Sequence, residues 1–347
     1  MADGIAATRV STRMEWMDCL RGVAIVLVVI FHAYDVAASN TRGEIDAVFS
    51  FNTIVGTMRM PTMLFLSGLL VPRGLSKGVR RFIEGKVRRV LYPYFMWSAL
   101  MLAFFAIAAR TIGWGFDRQW IPRVLYQPIE HLWFLAYLFL YFLLALALRR
   151  VNPILAAVGC FILSIAPVAG PWYVFWYYAG FFMLGVAAGL RPALWSRATA
   201  SLGISCGLLG GAIAIFAADE LGFMEIPTVH LYALIVMAAV VGGCGIFMRI
   251  GTASLFRPVR YIGVNSLVFY LVHWPVIIFS SRILMRETGL SVYEIFLSTL
   301  ALALFTCWLF SAALRRFALV QALFILPTRP AIRSIATRRQ RSPSFSD

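Results

Sequence analysis

Leu20-Arg21-Gly22-Val23-Ala24-Ile25-Val26-Leu27-Val28-Val29-Ile30-Phe31-His32-Ala33-Tyr34-Asp35-Val36-Ala37 decides how the chain is read. From Gly22 to Phe31 no side chain is polar. As a helix, residues 20–37 rise about 27 Å, close to the hydrocarbon thickness of a bilayer. The stretch reads as a transmembrane helix.

Working outward, runs of this kind recur at about 48–71, 90–109, 131–148, 154–168, 172–190, 199–217, 229–248, 262–281 and 291–314. The 347 residues are 61% hydrophobic and 13% charged, against ~45–50% and ~25% in ordinary globular chains. No soluble core of this size hides so much apolar surface. The runs are long and continuous rather than alternating, which excludes an outer-membrane barrel. The expected fold is all-α: a polytopic membrane protein with about ten transmembrane helices, its solvent the lipid bilayer.

The net charge of +16 does not mark a nucleic-acid binder, because the basic residues follow the membrane pattern. Of 31 Lys and Arg, 24 fall in alternate connections and the two termini. That is the bias of cytoplasmic loops, and with an even span count it puts both termini in the cytoplasm. The expected division is a cytoplasmic N-terminus (1–19), a transmembrane domain (20–314) and a basic cytoplasmic tail (315–347). The tail ends as a polar, disordered segment. A cleavable leader would fit the basic start and the small residues at Ala37-Ala38-Ser39. A disposable segment, however, has no need of the polar stripe described next. Cys19, Cys160, Cys206, Cys244 and Cys307 stand singly in or beside apolar runs, so neither a disulfide framework nor a metal site is indicated.

In the first span, positions 21 and 32 are eleven residues apart, which leaves them about 20° from one line along a helix. Asp18 and Asp35 lie near the same line. Arg21 sits at the cytoplasmic end, and His32 is about 16 Å farther along the axis. Ionisable groups on one face of a membrane helix face a cavity or partners. Anchoring at the interface is the plain alternative for Arg21, and a hydrogen bond to a neighbouring helix for His32. Arg59, in the middle of the second span and two residues before Pro61, is a second intramembrane charge, with Asp35 a candidate partner.

His131 opens the fourth span within Glu130-His131-Leu132-Trp133-Phe134. His273 lies in the ninth, where Ser266, Tyr270 and His273 share one helical face. A structural role is as consistent with these residues as a functional one, and His230 carries a weaker reading still. The 73–89 connection gathers seven basic residues, including Lys86, Arg88 and Arg89 ahead of Tyr92-Pro93. Its apolar positions Leu75, Val79, Phe82, Ile83, Val87 and Val90 have helical spacing, the pattern of a helix on the inner membrane surface. Positive-inside anchoring explains any one of these basic residues. Their density suits an anionic ligand such as a phosphorylated donor.

Together these motifs identify a family. Met17-Asp18-Cys19-Leu20-Arg21-Gly22 through His32, Met60-Pro61-Thr62-Met63-Leu64-Phe65-Leu66-Ser67-Gly68, Lys86-Val87-Arg88-Arg89-Val90-Leu91-Tyr92-Pro93, His131-Leu132-Trp133-Phe134 and the Ser266–Pro275 run resemble, in order, the landmarks of the membrane acyltransferase-3 family. The resemblance implies O-acyl transfer, most often of acetyl, from cytoplasmic acyl-CoA (acetyl-CoA first among the donors) to a hydroxyl of an extracytoplasmic or membrane-bound glycan or glycolipid. It admits a fucose 4-O-acetylase-like branch, and it implies a multi-pass protein of a bacterial inner membrane. His32 matches the family's catalytic histidine, with Arg21 its partner in the motif. Arg89, with Lys86 and Arg88, matches the basic motif on the donor side. Asp35 is placed beside His32 to orient the imidazole and Arg59 to stabilise the oxyanion. His131, Trp133, Ser266, Tyr270 and His273 are the candidate acceptor-side residues. Arg59 departs from the family pattern, in which His precedes the Met-Pro, and no appended esterase-like domain is expected. The competing reading is a transporter or flippase of lipid-linked sugars, which would also carry intramembrane Arg and His. No internal hydropathy repeat favours it.

Overall fold

A computed structural model describes residues 14–41, 43–112, 115–166, 172–225 and 231–327, and among these there is no β-strand. In chain order the helices are α1 (Glu15–Thr41), α2 (Asp46–Leu69), α3 (Val71–Leu75), α4 (Val79–Lys86) and α5 (Tyr92–Ile112), then α6 (Trp120–Arg123), α7 (Trp133–Ala147), α8 (Pro153–Ile165) and α9 (Tyr173–Leu190). They continue with α10 (Pro192–Ala198), α11 (Leu202–Glu220), α12 (Leu231–Ile250), α13 (Arg257–Val264), α14 (Ser266–Thr288), α15 (Val292–Leu314) and α16 (Ala318–Phe324).

Within the described residues each of the ten apolar runs contains a helix. Among the described residues nine helices are long and apolar enough to cross a membrane. The fifth run is shorter: α8 has 13 residues, about 20 Å of helix. It still returns the chain. Its N-cap Asn152 accepts from the Ile154 N–H at 3.0 Å and is met by Arg191, just past α9, at 3.4 Å. The start of α8 and the end of α9 therefore share one end of the bundle, the one where Lys86 reaches Phe142 of α7. We call this the basic end.

Without a hydrophobic force between helices in lipid, close approach depends on small residues. α1 and α13 cross backbone to backbone, where a Cβ on Gly22 would run into the Val259 carbonyl and one on Gly263 into that of Asp18. α2 and α9 do the same through Gly68 and Gly185, which face the carbonyls of Phe182 and Phe65. The first crossing fixes α1, the helix that carries Arg21 and His32, against α13, and the second fixes α2 against α9.

The amphipathic stretch over 73–89 is not one surface helix. It breaks after α3, where Gly78 adopts φ +97°, and its second half runs on into the third membrane span. The apolar face is as read: Phe82 is buried, and Leu75, Ile83 and Val90 pack on the core. Val87–Leu91 form a π turn between α4 and α5. Pro93 has no N–H to give, and the Tyr92 N–H bonds the Val87 carbonyl five residues back. Part of the 315–347 segment folds back, with α16 packed on α5 and Phe324 fully buried against Trp97. The rest of that segment, residues 328–347, and residues 1–13 lie outside the described residues.

Candidate active site

Three helices bring three histidines into one cluster deep in the bundle. The His32 ring on α1 stacks on His273 of α14, with centroids 5.4 Å apart. It also meets the Trp274 ring edge-on at 4.5 Å. His131, in the 3-10 turn Glu130–Leu132 that opens α7, packs on His273 at 5.5 Å and on Trp274 at 5.9 Å. The Tyr270 hydroxyl donates to the His131 carbonyl and so ties that turn to α14. His273 Nδ1 lies 2.8 Å from the Phe269 carbonyl oxygen. A carbonyl only accepts, so Nδ1 carries the proton and the lone pair of a neutral ring sits on Nε2.

Five buried ring nitrogens here have no hydrogen-bond partner among the described residues: His32 Nδ1, both nitrogens of His131, His273 Nε2 and Trp274 Nε1. Each such atom costs about 1–3 kcal/mol. So many in one place are not explained by packing and make this cluster the candidate site. Among the described residues no three His, Cys, Asp or Glu side chains converge as a metal would require.

A cavity opens at either end of α1. At the basic end, about 290 Å³ is lined by Arg21, Lys77, Arg81, Lys86 and Arg89, with Phe82 and Phe142. Lys86 Nζ stands 3.5 Å from the Phe142 ring centroid, a cation–π contact that holds the ammonium at the cavity wall. At the opposite end, about 270 Å³ is lined by Asp35, Ser39, Trp120, Glu130, Trp274 and Arg282. Trp274 belongs both to this wall and to the histidine cluster. Carboxylates and tryptophans in one cavity suit a polyhydroxylated ring, which offers O–H donors and an apolar face.

The residues singled out in the sequence divide accordingly. His32, His131, Tyr270 and His273 come together. Arg21, Lys86 and Arg89 share the basic cavity, and Arg21 also lies 4.0 Å from Asp18. Arg88 turns the other way and donates to the Leu326 carbonyl. Asp35 is exposed in the far cavity and makes no hydrogen bond to His32 among the described residues. Arg59 is held by the carbonyls of Leu27 and Gly56 and by Asn52, and lies over the Phe31 ring at 4.3 Å. The Phe31 ring also packs on His32, with centroids 5.0 Å apart, so it touches both. Trp133 stacks on Tyr178 at 5.5 Å, in the neighbouring aromatic layer. Ser266 is seven residues, about 10 Å of helix, from His273. His230 lies outside the described residues.

Two residues were missed as site members. Trp274 carries no signal of its own in the sequence beyond its place after His273 in the Ser266–Pro275 run. Glu130 adopts φ +49°, the only positive φ of a non-glycine residue among those described. Held strain of this sort gathers at functional sites, and no sequence pattern announces it.

Residues 14–314 match the model of a family described as an acyltransferase domain. No curated protein and no solved structure matches the chain. The matched segment runs from the start of α1 to the end of α15 and holds every histidine of the cluster and both cavities, so the chain belongs to the membrane acyltransferase-3 family and is a multi-pass membrane acyltransferase.

Proposed function

We propose that the protein is an O-acyltransferase that takes an acyl group, acetyl in the first instance, from acyl-CoA at the basic end. It passes that group to a hydroxyl of a glycan or glycolipid bound at the opposite end. The basic end faces the cytoplasm, following the distribution of Lys and Arg, and the membrane is the inner membrane of a bacterium. One observation carries this reading: the histidine cluster stands between a cavity of five basic side chains and a cavity of carboxylates and tryptophans.

Arg89, Lys86 and Arg21 hold the donor's phosphates, and the pantetheine arm runs between helices toward His32. Neutral His32 removes the proton of the acceptor hydroxyl while the oxygen attacks the thioester carbon. The tetrahedral intermediate collapses, the C–S bond breaks, and the imidazolium returns its proton to the departing thiolate. His273 keeps its Nδ1–H on the Phe269 carbonyl and offers the Nε2 lone pair inside the cluster, which supports a neutral imidazole beside His32. Asp35 and Glu130 accept hydrogen bonds from the acceptor's other hydroxyls, and Arg59 supplies positive charge one ring away from the reacting centre.

The test uses inside-out membrane vesicles given acyl-labelled acyl-CoA. Label on a glycan or lipid, absent when the vesicles are right-side out and sealed, is the expected result. Transfer of equal rate from both faces would contradict the assignment of the donor to the basic end.

A further inference from the structure

The carbonyl of Arg88 lacks a donor within its own helix. Its i+4 partner would be the Tyr92 N–H, which the π turn directs to Val87, and its i+5 partner is Pro93, which has no N–H. The missing donor comes from the C-terminal segment, where the Leu326 N–H bonds the Arg88 carbonyl at 3.1 Å. The Arg88 guanidinium answers with two bonds to the Leu326 carbonyl, from Nε at 3.2 Å and Nη2 at 3.0 Å. The last turn of α16 has orphan carbonyls of its own. The Tyr92 hydroxyl caps that of Ala322 at 2.7 Å, and Trp97 Nε1 that of Leu323 at 3.1 Å. These bonds join the C-terminal segment to the turn that carries Lys86 and Arg89, yet the segment lies beyond the residues that match the family, 14–314.

We propose that residues 318–326 form a strap that fixes the π turn, with Arg88 as a positioning residue, so that Lys86 and Arg89 stay directed into the basic cavity. This rests on the reading of that cavity as the acyl-CoA site. Arg88 then acts on the donor through the strap and not by touching it. Released from Leu326, the Arg88 carbonyl is unpaired, and nothing then favours the π turn over a regular α turn. In that α turn the Tyr92 N–H bonds Arg88, and Pro93 leaves the Arg89 carbonyl open instead. That change of register would rotate Arg89 relative to α4 and to Lys86 at the end of it.

The test compares full-length protein with Arg88→Ala, Arg88→Lys, Tyr92→Phe and two truncations, one ending at Arg316 and one at Pro327. Arg88→Ala and the Arg316 truncation should each raise the donor KM ~10-fold with kcat within ~2-fold. Arg88→Lys, which still donates to Leu326, should recover most of that loss. Tyr92→Phe should give a smaller rise, and the Pro327 truncation none. Combining Arg88→Ala with the Arg316 truncation should again give ~10-fold and not ~100-fold, since both remove one device. A second readout needs no donor. Gly85 lines the cavity and has open space where a Cβ would go. A Gly85→Cys thiol, with exposed Cys206 replaced by Ser, should react at a different rate once the strap is released. A changed thiol rate with an unmoved donor KM would keep the strap and relocate the donor. Effects of Arg88→Ala and truncation that multiply, or a thiol rate indifferent to both, would overturn the strap.

Discussion

The imidazole of His32 on α1 lies on that of His273 on α14, with centroids 5.4 Å apart and planes 30° from parallel. The two residues are far apart in the chain, and Trp274 closes the pair from the side. An imidazole held this way keeps its orientation without a carboxylate partner. Replacement of His273 should therefore act on the chemical step. His273→Ala is expected to lower kcat at least ~10-fold, with the donor KM within ~3-fold of its starting value. Steady-state kinetics on protein of normal yield check this, and an unchanged kcat would separate His273 from the reaction.

The basic cavity makes a prediction with an internal control. Arg89 lines it, whereas Arg80, about two and a half turns earlier, is 91% exposed and pairs with Glu84. Arg89→Ala should raise the donor KM by ~10-fold or more and flatten its dependence on salt. Arg80→Ala should change neither. Equal effects from the two would reduce the cavity to general positive charge.

Packing predicts which glycines cannot change. Gly68→Ala and Gly185→Ala each put a methyl group into a backbone carbonyl of the facing helix, an overpacking that costs about 1–3 kcal/mol. Gly207→Ala and Gly210→Ala meet nothing within 4 Å. Thermal unfolding in detergent should show lower Tm for the first pair and no loss for the second.

Orientation is open to chemical labelling. Ser76 and Gln119 lie at opposite ends of the bundle, both exposed. Single cysteines at these positions, with the five native ones replaced, should respond oppositely to an impermeant thiol reagent on intact cells. Gln119→Cys should react and Ser76→Cys should not. The reverse pattern would turn the protein over and carry the donor site with it.

Much of this was legible in the sequence, for physical reasons that can be named. The membrane class follows from composition, and the shared face of Arg21 and His32 follows from helical geometry, because both are local. The convergence of His131 and His273 on His32 is not local, since it depends on how α7 and α14 pack on α1. Asp35 looked like a partner of His32 by spacing alone, yet at the end of α1 it faces the cavity beyond Trp274. Arg88 is the sharpest case. Its neighbours Lys86 and Arg89 suggested one shared role, and the π turn, whose only sequence signal is Pro93, sends it to the C-terminal segment instead. The length of α8 was also hidden, because the apolar run continues past the point where its helix stops.

The central claim is that His32 is the base that moves the acyl group, and one measurement tests it most directly. Membranes containing the protein or His32→Ala, at matched expression and with insertion verified, are given acyl-labelled acyl-CoA, and label on the acceptor is counted over time. Removing a polar group from a helix does not hinder its insertion, so the variant should be present in the membrane and transfer nothing above background. Transfer by His32→Ala at the rate of the unaltered protein would contradict the account.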